Sequence, residues 1–124
     1  MNFDFTDDQV SLRDAVARWA EKAHGFDRRH ALAKAGGATR PVINELTELG
    51  LMGLAIDERH GGMGLGAVDA MVVMEELGRG IVSAPYAMAA LVAPTLLAQA
   101  PADVQAAWLP RMAQGQAMVV LAHQ

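Results

Sequence analysis

The sequence predicts an all-α domain, and three observations carry that prediction. Just over half of the 124 residues are hydrophobic (52%), yet aromatics are few, and Ala, Leu and Met, all good helix formers, dominate. Apolar residues recur at helical spacing behind recognisable start and stop signals. The one stretch that reads as a strand, AMVVLAHQ, stands at the C-terminus. The length suits one domain with a real core and is too short for two.

The first helix is expected over about 7–22. Thr6 with Gln9 forms a capping box, and Phe5 with Val10 forms a hydrophobic staple. Asp7 and Asp8 sit at the positive end of its dipole. Val10, Leu12, Val16, Trp19 and Ala20 make the inward stripe. A short polar helix follows near 27–35 with Asp27 as its cap, and AGGAT breaks the chain. Pro41 starts a third helix, PVINELTEL, which Gly50 ends from the C′ position.

Leu51, Met52, Leu54 and Ile56 then bury an extended connector. After a glycine-rich turn, Ala67 to Arg79 is a helix apolar on most sides (Val68, Met71, Val72, Met74, Leu77) and so expected to be central. Ser83 caps a helix over about 84–99 with Pro85 in its first turn, and Pro94 should kink or split it. Pro101 and Asp103 open a last helix near 102–113, in which Pro110 forces a short break. AMVVLAHQ then reads as a first strand.

A net charge of −4 with no Lys/Arg cluster gives no footprint for nucleic acid. The absence of Cys excludes disulfides and thiolate chemistry and suits a reducing cytoplasm. The start, MNFDFTDDQV, lacks the positive and apolar regions of a signal peptide. The most apolar run, Tyr86 to Ala98, falls short of the roughly 20 residues that cross a bilayer. The expectation is a soluble cytoplasmic domain with neither a nucleic-acid nor a membrane partner.

Four glycines fall within six positions in ERHGGMGLG. A dinucleotide fingerprint needs a third spaced glycine, and Ala67 and Asp69 stand where it should be. No Gly-Lys-Ser/Thr follows, so the run reads as a tight turn rather than a phosphate cradle. His24, His30, His60 and His123 have no metal-ligand spacing, and His24 and His30 are expected on a solvated face. Glu75 and Glu76 are adjacent on a helix, diverge, and read as helix-surface charges or caps. Ser11, Ser83, Thr39, Thr47 and Thr95 have no base nearby in the sequence pattern. No catalytic residue and no metal site is expected within these residues.

The order of segments has a counterpart. FDFTDDQVSLRDAVARWA, then LTELGLMGLAIDERHGGMGLGAVDAMVVMEELGRG, then AWLPRMAQGQAMVVLAHQ resembles the N-terminal helical domain of the flavin-dependent acyl-CoA dehydrogenases over essentially the whole chain. The ordered set ELGLMGL, a Gly-Gly-x-Gly turn and EELGRG carries the specificity. VVMEELGRGIVSAPY looks most like the bacterial pimeloyl-CoA dehydrogenase small-subunit subgroup. The resemblance implies an orthogonal bundle of about six helices over 1–116, with 117–124 the truncated start of a central β-domain. It also implies FAD, an acyl-CoA substrate dehydrogenated at its α and β carbons, electron-transfer flavoprotein as partner, and a homo- or hetero-oligomer.

In that family a glutamate base in a C-terminal domain takes the α-proton and flavin N5 accepts the β-hydride. The 124 residues are expected to lack that base, to be inactive alone and to retain no FAD. Carried over position by position, Leu121, Ala122, His123 and Gln124 lead into the flavin site, with Gln124 where the family usually has Thr. Pro85, Tyr86, Ala89 and Ala93 match the acyl-lining positions, the two alanines leaving room for a long or bulky acyl chain. His60 stands where relatives usually carry an aromatic ring. The alternative expectation is a stand-alone helical interaction module; a third keeps the fold with an oxidase or non-redox reaction.

Overall fold

A computed structural model describes residues 3–37 and 40–122 and contains six α-helices among them. Helix α1 spans Asp7–Ala23. Its capping box is present: the Gln9 amide donates to the Thr6 hydroxyl at 3.2 Å, and the Thr6 amide donates to the Gln9 side chain at 3.1 Å. Helix α2, Phe26–Lys34, starts one residue earlier than expected and is capped by the Gly25 backbone, which places Asp27 inside the first turn rather than at the cap. There its charge still faces the positive end of the helix dipole.

Helix α3 is Arg40–Glu48, and Gly50 follows it at φ 78° as the expected left-handed stop. Leu51, Met52, Leu54 and Ile56 are buried as expected, but the connector is not extended. It closes into a 3₁₀ turn at Leu51–Gly53, entered from Gly50 in the left-handed region.

Helix α4, Ala67–Arg79, packs along α1, and a Cβ built on Gly80 would stand 2.9 Å from that of Ala20. The expectation that α4 is central holds for one side only. Val72, Val73 and Leu77 are buried, whereas Val68, Met71 and Met74 are exposed.

Three helices end in the same hydrogen-bond pattern, in which the second and third residues past the helix donate back to its last turn. In α2 and α6 the residue that must turn left-handed is glycine: Gly36 at φ 93° and Gly115 at φ 66°. In α4 it is Ile81, at φ 52°, with its amide bonded to Gly78 and that of Val82 to Leu77. A β-branched residue there is strained by about 1–2 kcal/mol. Ile81 is also 66% exposed, so little burial compensates. Ile81→Gly is expected to raise stability by about 0.5–1 kcal/mol after the extra unfolded-state freedom of glycine is deducted, read as a higher urea midpoint at unchanged slope.

The segment expected as one proline-broken helix runs as a π-helical turn, Ala87–Val92, continuing into α5, Ala93–Leu97. The wider i→i+5 turn accommodates Pro94, which has no amide to donate, without splitting the rod. No side-chain cap bond is made at its start, so Ser83 does not cap it. Helix α6, Ala102–Ala113, likewise continues through Pro110, and the expected break is absent. The carbonyl that Pro110 leaves without a donor belongs to Ala106, which is exposed to water.

The residues 117–122 form no strand. A strand is a paired element, and this stretch has no partner among the described residues. The main core joins Val16, Leu46, Leu51, Leu54, Val73 and Tyr86, and a smaller cluster joins Ile56, Ala93, Leu109 and Met112.

Candidate functional site

The glycine loop spends its donors on itself. The amides of Gly61, Gly62, Met63, Gly64 and Leu65 go to the carbonyls of Glu58, Asp57, Gly53, Ile56 and Leu54 at 2.8–3.2 Å. The Gly66 amide goes to the Asp69 carboxylate at 3.0 Å. A phosphate cradle needs those N–H groups free and convergent. The loop is a stitched turn, in agreement with the reading of its incomplete fingerprint.

The histidines divide. His30 is exposed and stacks on Phe26 with ring centroids 6.0 Å apart. His24, expected on a solvated face, is instead 1% exposed. It is the C-cap of α1 and stacks on Trp19 at 5.5 Å, so the chain folds back over it. His60 is half-buried, with Nε2 enclosed and unpartnered. His123 lies outside the described residues, as does Thr39. No cluster of three potential metal ligands occurs among the described residues.

Around His24 three helices are tied by one carboxylate. Glu45 of α3 accepts from Arg28 of α2 at 2.7 and 2.9 Å and from the Trp19 indole of α1 at 2.8 Å. Arg28 also donates to the Ala23 carbonyl, and Arg29 to that of His24, so two α2 guanidiniums cap the negative end of α1. The bond from Arg28, with that from Trp19, holds the Glu45 carboxyl below its usual range. Burial, then the charges of Arg28 and Arg29, push His24 below its ordinary value of 6.5.

Glu75 and Glu76 diverge as expected, yet only Glu75 is a surface charge; Glu76 is buried, because it lies on the side of α4 that faces α1. Arg79 bridges both, at 3.1 and 3.3 Å. These groups line a cavity of about 550 Å³ between α1 and α4, together with Arg13, Glu21 and Arg29. Thr47 and Thr95 donate to the carbonyls of Ile43 and Leu91, which leaves neither hydroxyl poised as a nucleophile.

Of the four acyl-lining positions, Pro85 is exposed, whereas Tyr86, Ala89 and Ala93 are buried in the domain's own core. The Tyr86 hydroxyl donates to the Leu51 carbonyl at 2.9 Å, and burial pushes its pKa up. The two alanines let this helix approach the core closely. On its outer side Pro85, Tyr86 and Met88 meet Met74, Gly78 and Val82 of the α4 end around a mainly apolar cavity of about 210 Å³.

Of the four flavin-approach positions, Leu121 and Ala122 are exposed, and His123 and Gln124 lie outside the described residues. Ala117 and Val119 turn into the smaller core cluster while Met118, Val120 and Leu121 face outward. That outward row is apolar and offers no charged or hydrogen-bonding side chain for a pyrophosphate. The described residues of this tail do not by themselves fit a flavin dinucleotide.

The model of the family described as "Acyl-CoA dehydrogenase, N-terminal domain" matches residues 6–116. The chain belongs to this family. Within the acyl-CoA dehydrogenases it is 34% identical over 112 residues to (2S)-methylsuccinyl-CoA dehydrogenase of Cereibacter sphaeroides, covering 85% of this chain and 20% of that protein. It is 34% identical over 89 residues to benzylmalonyl-CoA dehydrogenase of Aromatoleum aromaticum, covering 72% of this chain and 23% of that one. The backbone matches a chain of the ChsE4-ChsE5 complex from Mycobacterium tuberculosis with a TM-score of 0.88, at 22% identity, over 97% of this chain and 34% of that one. That last likeness is one of fold. As an acyl-CoA dehydrogenase domain, the chain spans about a fifth to a quarter of the two dehydrogenases' length. No helix among the described residues is long and apolar enough to cross a membrane.

Proposed function

We propose that the chain serves as the N-terminal domain of a flavin-dependent, cytoplasmic acyl-CoA dehydrogenase, with residues 1–116 as the helical unit and 117–124 leading into a β-domain. The helix beginning at Pro85 is one wall of the acyl pocket. Its outer side, with Met88 and Met74, receives the chain, while Tyr86, Ala89 and Ala93 behind it set how deep the wall lies. Residues beyond this domain hold the FAD and supply the base, and Leu121 to Gln124 approach the flavin. Electron-transfer flavoprotein is the acceptor, and the enzyme is an oligomer, a homologue of the pimeloyl-CoA dehydrogenase small subunit. The observation that carries the reading is the family match across the α4 end and the apolar cavity that Pro85 and Tyr86 form against it. In this role the domain contributes shape and water exclusion rather than reacting groups.

The test is an acyl-length series in the complete enzyme. Ala89→Leu is expected to lower kcat/KM for the longest or bulkiest acyl group about tenfold while a short acyl group stays within about twofold. Equal losses on every substrate would mean that these alanines serve packing alone.

A further inference from the structure

Helix α2 is loosely tied to the rest of the domain. Of its nine residues only Leu32 is buried; Arg28 and Arg29 are half-buried, and the other six are exposed. Apart from Leu32, its ties are polar. Arg28 donates to the Ala23 carbonyl and the Glu45 carboxylate, and Arg29 to the His24 carbonyl at 3.0 Å. Gly25 precedes the helix, and Gly36 and Gly37 follow it at φ 93° and 122°, so the chain is freest to pivot on both sides. An element held in this way opens at a lower cost than the whole domain.

Both guanidiniums converge on the C-cap of α1, where His24 is 1% exposed. Its Nδ1 is enclosed with no partner, and Trp19 of its own helix covers one face of the ring at 5.5 Å. A neutral ring protonated at Nε2 leaves only a lone pair in that closed space. The charged ring must place an N–H there without an acceptor, which is the costlier orphan. A positive ring at a helix C-terminus would ordinarily be favoured by the dipole, but the Ala23 and His24 carbonyls are already taken by Arg28 and Arg29. Of the charged groups facing the ring, those two of α2 oppose a positive charge and Glu45 of α3 favours it. Glu45 is engaged by Arg28 and Trp19, and burial with the two cations prevails. Lifting α2 removes both cations and admits water to Nδ1.

We propose that α2 is a hinged strap whose closure requires a neutral His24: protonation of the buried ring sets it against Arg28 and Arg29 and releases α2 from the α1–α3 corner, uncovering Trp19 and opening the α1–α4 cavity on its Arg29 side. The open strap restores the ordinary proton affinity of the ring. Closure is therefore fully favoured above about pH 6.5, and the open fraction rises as pH falls below it, by at most about tenfold per pH unit for one proton.

Native-state amide exchange of the 124-residue chain, corrected for the intrinsic rate at each pH from about 7.5 to about 5, reads this opening residue by residue. Protection of the α2 amides is expected to fall on acidification while that of the α1 and α4 interiors holds. In H24Q, which does not titrate there, α2 protection should be the same at every pH. In H30Q, which removes the exposed histidine of α2 itself, the fall should persist. Protection of α2 that stays flat, that falls unchanged in H24Q, that no longer falls in H30Q, or that falls only together with α1 and α4 overturns the proposal. Should H24Q fail to fold, the His24 ring resonances of the unsubstituted chain decide. A loss of α2 protection that levels off at the midpoint of the ring supports the strap, and a loss unrelated to that midpoint overturns it.

Discussion

Gly62→Ala is expected to cost the domain about 3 kcal/mol or more, which lowers the melting temperature by roughly 10 °C for a chain of this length. A Cβ at Gly62 would fall onto the Ile56 carbonyl oxygen, with the Ile56 carbonyl carbon at 2.5 Å and its Cβ at 2.6 Å. Most of the obstruction is backbone, which no rotamer change relieves. Nor can the two strands of chain move apart, because Met63, Gly64 and Leu65 donate back across this crossing to Gly53, Ile56 and Leu54. Those bonds bury Leu54 and Ile56 into the two core clusters, so displacement propagates into both.

The neighbouring glycines separate sterics from backbone conformation. Gly61 has open space but φ +82°, so Gly61→Ala should cost only about 1 kcal/mol. Gly78 is helical with nothing within 4 Å of an added Cβ, and Gly78→Ala should gain about 0.5–1 kcal/mol. Thermal unfolding of the three variants gives the order directly. If Gly62→Ala unfolds no earlier than Gly61→Ala, close approach is not what the loop requires of its second glycine.

What was legible in the sequence follows from how local each signal is. Thr6 with Gln9, and Gly50, act within one helical turn, and they locate the start of α1 and the stop of α3. The limits of α4 also coincide with its apolar run. Signals that depend on distant partners were not legible. Between Arg, Lys and Asp residues, His24 reads as a solvated side chain; it is buried, stacked on Trp19, with Arg29 of α2 donating to its carbonyl. Nothing in the local pattern marks Glu45, because its partners lie 17 and 26 residues earlier. Ile81 occupies a position whose conformation ordinarily announces itself by glycine, so its strain leaves no mark in the pattern. The strand expected at 117–124 does not form over the described residues 117–122 for the complementary reason, since β-branched composition states a preference that only a pairing partner realises.

The second large effect is expected from Glu45→Ala, at about 3 kcal/mol. The carboxylate accepts three charged or charge-assisted bonds, each worth roughly 1.5–3 kcal/mol when intact and fewer when screened. Arg28 and Glu45 are each 29–30% exposed, which reduces the sum but leaves an under-solvated guanidinium and an unpaired indole N–H once the acceptor is gone. Arg28 is then free to swing off the Ala23 carbonyl, so the loss includes a helix cap. The pH dependence identifies the cause. Because Arg28 lowers the folded pKa of Glu45, its contribution is full above the ordinary value of 4.5 and is lost as pH falls through the lower folded value. Stability of the unsubstituted chain and of Glu45→Ala should therefore differ by a constant amount near neutrality and converge on acidification below about 4.5. Urea midpoints at a series of pH values measure this. A gap that persists into strong acid would assign the loss to packing of the Glu45 side chain rather than to its charge, and the α1–α2–α3 corner would then be held by its apolar contacts alone.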